Sequence, residues 1–223
     1  MKVVIFGATG MIGYGVLLEC LDDPGIERVI TVGRRPVKVE HEHADKLEQI
    51  EHADFSDFSA IADALTGLDA CFWCLGIASA GMSEQDYRRI TVDFTLAAAE
   101  VLHDRNPKLT FCFISGAGTD RDGRAMWARV KAQAEDALAG VGFAACYNFR
   151  PAMIQPMRGA VSGVRSYRIM YAIVGPFYPL LKHWRSMVTS TPEVGRAMII
   201  AARSGAPKTT LENADINALA ADS

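Results

Sequence analysis

The residues with the clearest chemical meaning are three glycines near the N-terminus, Gly7, Gly10 and Gly13. They follow the apolar run Lys2–Phe6 and precede a segment of helical character, as in a phosphate-binding turn between strand and helix. Glycine lets the backbone approach a pyrophosphate, while unpaired N–H groups at the helix N-terminus face the phosphates. We therefore predict a dinucleotide site on this loop. Its predicted contacts are Gly7, Thr9, Gly10, Met11, Ile12 and Gly13.

The end of the second predicted strand indicates which dinucleotide binds. An NAD site places Asp or Glu about 20 residues after the glycine loop, on the ribose hydroxyls. Here the strand Arg28–Gly33 is followed by Arg34 and Arg35, without an acidic residue. Guanidinium groups suit a 2′-phosphate because they donate paired hydrogen bonds. We predict NADP(H), with NAD(H) as the second choice; the alternative is that both arginines are simply solvated.

Short strand-like runs alternate with longer segments of helical period along most of the chain. The predicted strands are Lys2–Phe6, Arg28–Gly33, Leu47–Glu51, Ala70–Leu75, Leu109–Ser115 and Phe143–Phe149. The predicted helices include Met11–Leu21, Phe58–Leu65, Glu84–His103 and Arg124–Ala139. Nearly unbroken apolar strands that alternate with helices predict a parallel sheet covered on both faces. The fold class is therefore α/β, a doubly wound parallel sheet of the Rossmann type, in a single domain over residues 1–223.

The alternation of predicted strands and helices becomes less regular after Arg150 and Pro151. Residues 152–190 hold Tyr, Met, Pro and Arg in a less regular pattern, with a strand-like piece at Ser186–Thr189. A helix follows, for which we predict Thr191 as the cap residue, with Pro192 in its first turn. We interpret residues 152–190 as a small cap on the substrate side of the sheet.

Composition excludes several classes of function. The chain has 223 residues, 50% hydrophobic and 22% charged, which is typical of a globular protein. Its net charge of −3 gives no basic surface for nucleic acid. The five cysteines lack the clustered spacing of a disulfide framework. Cys71 and Cys74 form a C-x-x-C, but strand alternation sends them to opposite faces, so we predict no metal site.

Neither a leader nor a membrane span is predicted. The apolar run Val3–Phe6 leads directly into the glycine turn, unlike a signal peptide. The longest apolar run, Ile169–Leu181, is too short to span a bilayer and is interrupted by glycine and proline. We predict a cytoplasmic protein. An interfacial helix at residues 168–182 is a weaker alternative to a substrate-pocket lid or a dimer face.

Motifs along nearly the whole chain resemble one family. They are Gly7–Gly13, Gly33–Arg35, His52–Phe55, Cys74–Gly76, Val92–Asp93, Phe149–Pro151 and Leu211–Asn213. Together they resemble the extended and atypical short-chain dehydrogenases/reductases, and within them the Tat-interacting-protein-like branch, small proteins classed as oxidoreductases or as nucleoside-diphosphate-sugar-epimerase-like. The resemblance implies that Asp54 lies near the adenine and that Leu75, Gly76 and Ile77 line its ribose. It also implies that Arg150 and Pro151 lie beside the nicotinamide.

The resemblance further implies a Tyr and a Lys spaced Y-x-x-x-K, with a Ser at the end of the preceding strand. The matching segment keeps Lys131 but has Trp127 at the tyrosine position. An indole N–H only donates and exchanges no proton near neutral pH. Ser115 is the candidate serine, although Gly116 also fits the expected spacing. Lys131 keeps a second implied role, a hydrogen bond to the nicotinamide ribose.

Two kinds of function fit these residues. The first is an NADP(H)-dependent oxidoreductase acting on a small carbonyl or hydroxyl compound, with Ser115 and Lys131 in its catalytic site and a proton donor other than Trp127. Tyr167, Tyr171, Tyr178 and His183 of the cap are candidate donors. The second is a dinucleotide-binding regulator that binds a protein partner and has lost catalysis. The sequence alone does not decide between them.

Overall fold

The fold is built on a seven-stranded sheet in which every neighbouring pair of strands is parallel. The computed structural model describes residues 1–160 and 186–222. The sheet strands are β1 (Lys2–Phe6), β2 (Arg28–Gly33), β3 (Leu47–Glu51), β4 (Ala70–Trp73), β5 (Thr110–Ile114), β6 (Ala145–Arg150) and β9 (Thr210–Glu212). Their spatial order is β3-β2-β1-β4-β5-β6-β9. The order reverses between β1 and β4, which makes this junction the switch point where such sheets bind ligands.

Helices cover both faces of the sheet. They are α1 (Met11–Asp22), α2 (Glu84–Arg88), α3 (Phe94–Arg105), α4 (Met126–Ala139), α5 (Thr191–Ser204) and α6 (Asn213–Leu219). A π-helical turn at Arg89–Asp93 joins α2 to α3, and 3₁₀ turns lie at Ala44–Lys46, Ser59–Leu65 and Ala220–Asp222. None of the helices in the described ranges is long and apolar enough to cross a membrane.

Alternate side chains of β1 enter two separate cores. Val3 and Ile5 pack with α1, α5 and α6, whereas Val4 and Phe6 pack with α3 and α4. All four side chains are fully buried. A strand that is buried on both faces has an unbroken run of apolar residues, and β1 has this pattern at Val3–Phe6.

Helices α1 and α5 touch closely where each carries a glycine. A Cβ at Gly195 would lie 2.7 Å from Cγ of Glu19 in α1. The buried Glu19 carboxylate binds Arg158 at 2.9 Å and Arg196 at 3.2 Å. These contacts attach α5, and the chain segment around Arg158, to the helix that follows the glycine loop.

The described part of the predicted cap forms a second, two-stranded sheet. Strand β7 (Met153–Gln155) pairs in parallel with β8 (Val188–Ser190). The predicted interfacial segment 168–182 lies outside the described residues, and so do the candidate proton donors Tyr167, Tyr171, Tyr178 and His183.

Most element predictions are confirmed, with local differences. Strand β4 ends at Trp73 and not at Leu75, and Ser59–Leu65 is a 3₁₀ turn where we predicted an α-helix. The cap residue of α5 is Ser190, whose Oγ accepts the Glu193 N–H at 3.4 Å, and not Thr191. Strands β7 and β9 and helix α6 were not predicted, because segments of three to seven residues carry little periodicity.

Candidate functional site

The glycine loop is shaped by backbone contacts that a side chain would disrupt. Gly7 has φ +82°, and a Cβ there would lie 2.7 Å from the Leu75 amide nitrogen. The Gly10 N–H donates to the Gly7 carbonyl oxygen at 2.9 Å and closes the turn. A Cβ at Gly13 would collide with the same carbonyl oxygen. The loop therefore depends on glycine at Gly7 and Gly13.

Helix α1 presents an uncompensated N-terminus next to this loop. It begins at Met11, and its cap residue Gly10 supplies no side-chain hydrogen bond. No acidic residue lies in the first turn. The backbone N–H groups and the positive end of the helix dipole are thus available to an anion. This arrangement fits a pyrophosphate held by Met11, Ile12 and the loop before them.

A cleft connects the glycine loop with the end of β2. Five of the predicted contacts line it: Gly7, Thr9, Arg34, Arg35 and Leu75. It is also lined by Ala8, Thr31, Val32, Gly33, Pro36, Val37, Gln49, Ile50 and Phe55. Since β1, β2 and β4 are parallel neighbours, the cleft lies at the carboxyl edge of the sheet, beside the switch point.

Arg34 and Arg35 are both exposed at the mouth of this cleft. Within residues 1–160 and 186–222, neither Arg34 nor Arg35 takes part in an ion pair, whereas nine other arginines pair with Asp or Glu. Toward the described part of the chain, both guanidinium groups therefore have donors available for a ligand. Two such groups beside an anion-binding loop form a suitable site for a second phosphate.

Asp54 lies in a tight turn after β3. Hydrogen bonds from the Ser56 side chain and backbone lower the pKa of its exposed carboxyl. The neighbouring Phe55 ring is buried and lines the cleft. The His52 ring stands 5.1 Å from the Phe58 ring and approaches the Asp54 carbonyl oxygen, 2.6 Å from Nε2. The turn thus places Phe55 in the wall of the cleft, with Asp54 next to it in the chain.

The segment after β4 forms another wall of the carboxyl edge. Leu75 lines the cleft, while Gly76 and Ile77 are exposed. Almost half of the Ile77 surface is accessible, which is unusual for an isoleucine. These two residues are available to a ligand lying along the edge, as the resemblance implies.

Lys131 reaches the carboxyl end of β5 from helix α4. Its Nζ donates to the Ile114 carbonyl oxygen at 2.8 Å and lies 4.7 Å from the centre of the Phe113 ring. Burial lowers the pKa of Lys131 to about 8, and the Glu135 carboxylate opposes this shift.

Ser115 follows directly after β5, but its hydroxyl already has a partner. Its Oγ lies 3.0 Å from the Thr119 Oγ1, and the Thr119 hydroxyl donates to the Gly116 carbonyl oxygen at 2.8 Å. The serine side chain is 8% exposed. It is positioned at the strand end as predicted and is held by the turn that follows.

The Trp127 indole packs on that same turn. A Cβ at Gly118 would lie 3.5 Å from the indole, and one at Gly116 would lie 3.8 Å from it. Gly118 has φ +84°. Trp127 therefore forms a wall over the loop after β5, one helical turn before Lys131.

Arg150 and Pro151 hold the end of β6 in place. The Arg150 guanidinium binds both carboxylate oxygens of Glu135, at 2.9 and 2.6 Å, and also binds Glu212 at 3.2 Å. The Pro151 carbonyl oxygen accepts the Ala117 N–H at 3.0 Å. The Arg150 side chain thus ties α4 to β6 and β9, and the backbone at Pro151 supports the loop after β5.

The cysteines near the site are protonated. Cys71 and Cys74 belong to opposite cores, as predicted, and burial raises the pKa of both thiols. No group of three or more potential metal ligands occurs in the described part of the chain.

Comparison with known proteins identifies the family. Residues 3–125, more than half of the chain, match the NAD dependent epimerase/dehydratase family. The chain belongs to this family. As a member of the epimerase/dehydratase family it is a dinucleotide-binding protein, and the glycine loop lies within the matched residues.

The chain is also similar to individual proteins and solved structures. Protein fmp52, mitochondrial, from Emericella nidulans is 29% identical over 161 residues, which are 70% of this chain and 68% of that protein. Protein HTATIP2 from Rattus norvegicus is 29% identical over 153 residues, 69% of this chain and 62% of that protein. Among solved structures, Bordetella bronchiseptica WbmH in complex with NAD⁺ has a TM-score of 0.65 at 16% identity. The match covers 94% of this chain and 74% of WbmH, and it supports the fold.

The structure brings the predicted residues of this epimerase/dehydratase family member to one edge in two groups. The first group surrounds the cleft at β1 and β2, and the second surrounds Lys131 at β5 and β6. Sequence reasoning missed Gln49, whose Oε1 accepts the Val37 N–H at 2.7 Å and closes the cleft. It also missed Glu135, although its position four residues after Lys131 was a usable signal.

Proposed function

We propose that the protein is an NADP(H)-dependent oxidoreductase that acts on a small carbonyl or hydroxyl compound. The observation that carries the proposal is the pair Arg34 and Arg35. They lie free of ion pairs in the described structure, at the mouth of the cleft that begins at the glycine loop. The shape and charge of the cleft fit a dinucleotide with an additional phosphate on its adenosine ribose.

Each part of the site has a role in this proposal. The glycine loop and the start of α1 hold the pyrophosphate, and the arginines hold the 2′-phosphate. Asp54, Leu75, Gly76 and Ile77 border the adenosine, while Lys131, Arg150 and Pro151 border the nicotinamide end. When bound, the dinucleotide supplies or accepts a hydride.

The experiment that tests the cofactor is a fluorescence titration with NADPH and with NADH. We expect tighter binding of NADPH, because charge-assisted hydrogen bonds to a phosphate contribute about 1.5–3 kcal/mol. The double variant Arg34→Ala, Arg35→Ala should bring the two affinities together. Lys38→Ala is the matched control, since it removes a nearby exposed positive charge that does not line the cleft.

Equal affinity for NADPH and NADH in the unmodified protein would contradict the proposed selectivity. A loss of selectivity in the Lys38 variant as large as in the arginine variant would show that only the general charge matters. Failure to saturate with either dinucleotide would contradict the site itself.

A second function is favoured by one observation. Trp127 occupies the position of the phenol that the resemblance requires for proton transfer, which fits a dinucleotide-binding regulator that recognises a protein partner. A screen of small carbonyl compounds with NADPH separates the two functions, because only the oxidoreductase consumes NADPH in a carbonyl-dependent manner. Saturable NADPH binding without turnover of any carbonyl would favour the regulator.

We also propose that the protein works in the cytoplasm. The fungal relatives are named mitochondrial, so mitochondrial import is the competing location. Subcellular fractionation with an antibody to the protein tests this, and recovery in the mitochondrial fraction would contradict it.

A further inference from the structure

The Lys131 ammonium lies at the carboxyl end of β5. Lys131 Nζ gives one hydrogen to the Ile114 carbonyl oxygen and rests over the Phe113 ring. An ammonium has three donors, so the hydrogen bonds within the described residues leave donor capacity for a ligand. Strands β4 and β5 are neighbours at the centre of the sheet, and the lysine therefore lies at the carboxyl edge where the dinucleotide site is built.

Among the residues that the structure describes, three other polar groups near the lysine are committed elsewhere or unsuitable for proton transfer. Ser115 shares its hydroxyl with Thr119, and Glu135 is held by Arg150 through two hydrogen bonds. Trp127 offers only an indole N–H, which does not ionise near neutral pH.

The surroundings of Lys131 favour release of a proton. Burial lowers the pKa of Lys131 to about 8. A general acid is most effective when its pKa lies near the pH of the reaction, and this value is close to neutral pH. The charged and titratable groups that act on it are Glu135 on α4 and Cys74 after β4. The Cys74 thiol, whose pKa burial raises, stays protonated and is a poor acid. Arg150 on β6 is neutralised by Glu135 and Glu212.

We propose that the Lys131 ammonium itself donates the proton that carbonyl reduction consumes, in place of the phenol that Trp127 replaces. This inference rests on the proposed oxidoreductase function. The carbonyl carbon gains a hydride from the reduced nicotinamide, and the carbonyl oxygen gains the proton from Lys131 Nζ. The products are an alcohol, the oxidised dinucleotide and a neutral lysine amine, which takes up a proton from water before the next turnover.

The first test needs no substrate and no cofactor. Trace acetylation with acetic anhydride at a series of pH values, read by mass spectrometry, follows the neutral amine of Lys131 in the intact protein. We expect half-maximal reactivity near pH 8, below that of a free model lysine amide. Reactivity that follows the model amide would overturn the proposal, whatever the protein does with NADPH.

Glu135→Gln provides the internal check of this titration. Removing a carboxylate that favours the ammonium should move the acetylation midpoint of Lys131 to lower pH. Glu212→Gln is the matched control, since Glu212 also pairs with Arg150 but does not act on Lys131. An unchanged midpoint in Glu135→Gln, or an equal change in both variants, would overturn the electrostatic argument.

The second test uses turnover of a carbonyl compound. Lys131→Arg keeps the positive charge but cannot release a proton, so kcat should fall about 100-fold or more. NADPH affinity should change less than about fivefold, because the charge remains. In the unmodified protein, kcat/KM for reduction should decline as pH rises through about 8, since the ammonium is the active form.

The outcomes separate the two proposals. Reduction that persists at full rate in Lys131→Arg would overturn the role of Lys131 and leave the oxidoreductase standing. Absence of carbonyl reduction in the unmodified protein would overturn both the oxidoreductase and the donor role. The acetylation midpoint, measured on the protein alone, would then still report whether Lys131 exchanges a proton near neutral pH.

Discussion

Gly7→Ala is the sharpest probe of the dinucleotide loop, because two separable physical effects act at this position. Gly7 has φ +82°, a conformation that residues with a Cβ rarely adopt. In addition, the new Cβ would lie 2.7 Å from the Leu75 nitrogen and 2.8 Å from the Cys74 carbonyl carbon and oxygen. These neighbours are backbone atoms between β4 and its following loop, so they cannot swing away like the end of a side chain.

The magnitudes of the two effects add. A left-handed backbone costs a residue with a Cβ about 1–2 kcal/mol. Forcing an extra carbon into a packed site costs about 1–3 kcal/mol more. We therefore expect Gly7→Ala to lower the free energy of unfolding by about 2–5 kcal/mol, measured by urea denaturation. NADPH binding, measured where the variant is fully folded, should also weaken, because the loop must shift away from the helix N-terminus.

Gly67→Ala is the matched control for this experiment. Gly67 has φ +73°, but a Cβ there would meet nothing within 4 Å. Gly67→Ala should therefore lower the free energy of unfolding only by the cost of the left-handed backbone, about 1–2 kcal/mol. Both variants also make the same change in the unfolded chain, so their difference isolates the contact with Cys74 and Leu75. Equal destabilisation by Gly7→Ala and Gly67→Ala would refute the claim that this contact is rigid.

Three further predictions test other parts of the site. Trp127→Phe should leave NADPH affinity nearly unchanged and turnover within about tenfold, or about 1.4 kcal/mol of barrier, whereas Trp127→Tyr should create or raise carbonyl reduction in steady-state assays. Absence of carbonyl reduction in both the unmodified protein and the tyrosine variant would favour the regulator. Gly10→Asp should abolish NADPH fluorescence enhancement, because its carboxylate would face the phosphates. Ser56→Ala should raise the pKa of Asp54 toward its ordinary value, as NMR titration of the carboxyl would show. Because the Asp54 pKa is lowered on folding, its stabilisation exists at neutral pH and disappears as pH falls through the lowered pKa, so the two proteins should converge in stability at acid pH.

The central strands could be predicted from the sequence because burial on both faces leaves a distinct signature. Strands β1 and β2 have the predicted bounds, and their runs contain few polar interruptions. Strand β9 has only three residues at the sheet edge, and its place is set by pairing with β6 rather than by any local pattern. The prediction therefore succeeds where local composition determines structure and fails where tertiary pairing does.

The same distinction applies to the site. The glycine loop, the two arginines and the spacing of Trp127 and Lys131 are local features, and the sequence indicated all of them. The bond between Gln49 and the Val37 backbone joins separate elements, and no sequence spacing indicates it. Likewise, Arg150 was predicted as a ligand-side residue, but its guanidinium is directed to Glu135 and Glu212.

The lowered pKa of Lys131 illustrates why chemistry is harder to predict than fold. The sequence shows a lysine on a helix, which would ordinarily be an exposed cation. Only the packed structure places its Nζ against Ile114 and Phe113, where burial disfavours the charge more than Glu135 restores it. Because Glu135 is already shared with Arg150, the lysine lies beside a carboxylate whose charge is largely compensated. In our proposal, a tryptophan at position 127 therefore does not leave the described part of the site without a titratable group, because Lys131 can exchange a proton near neutral pH.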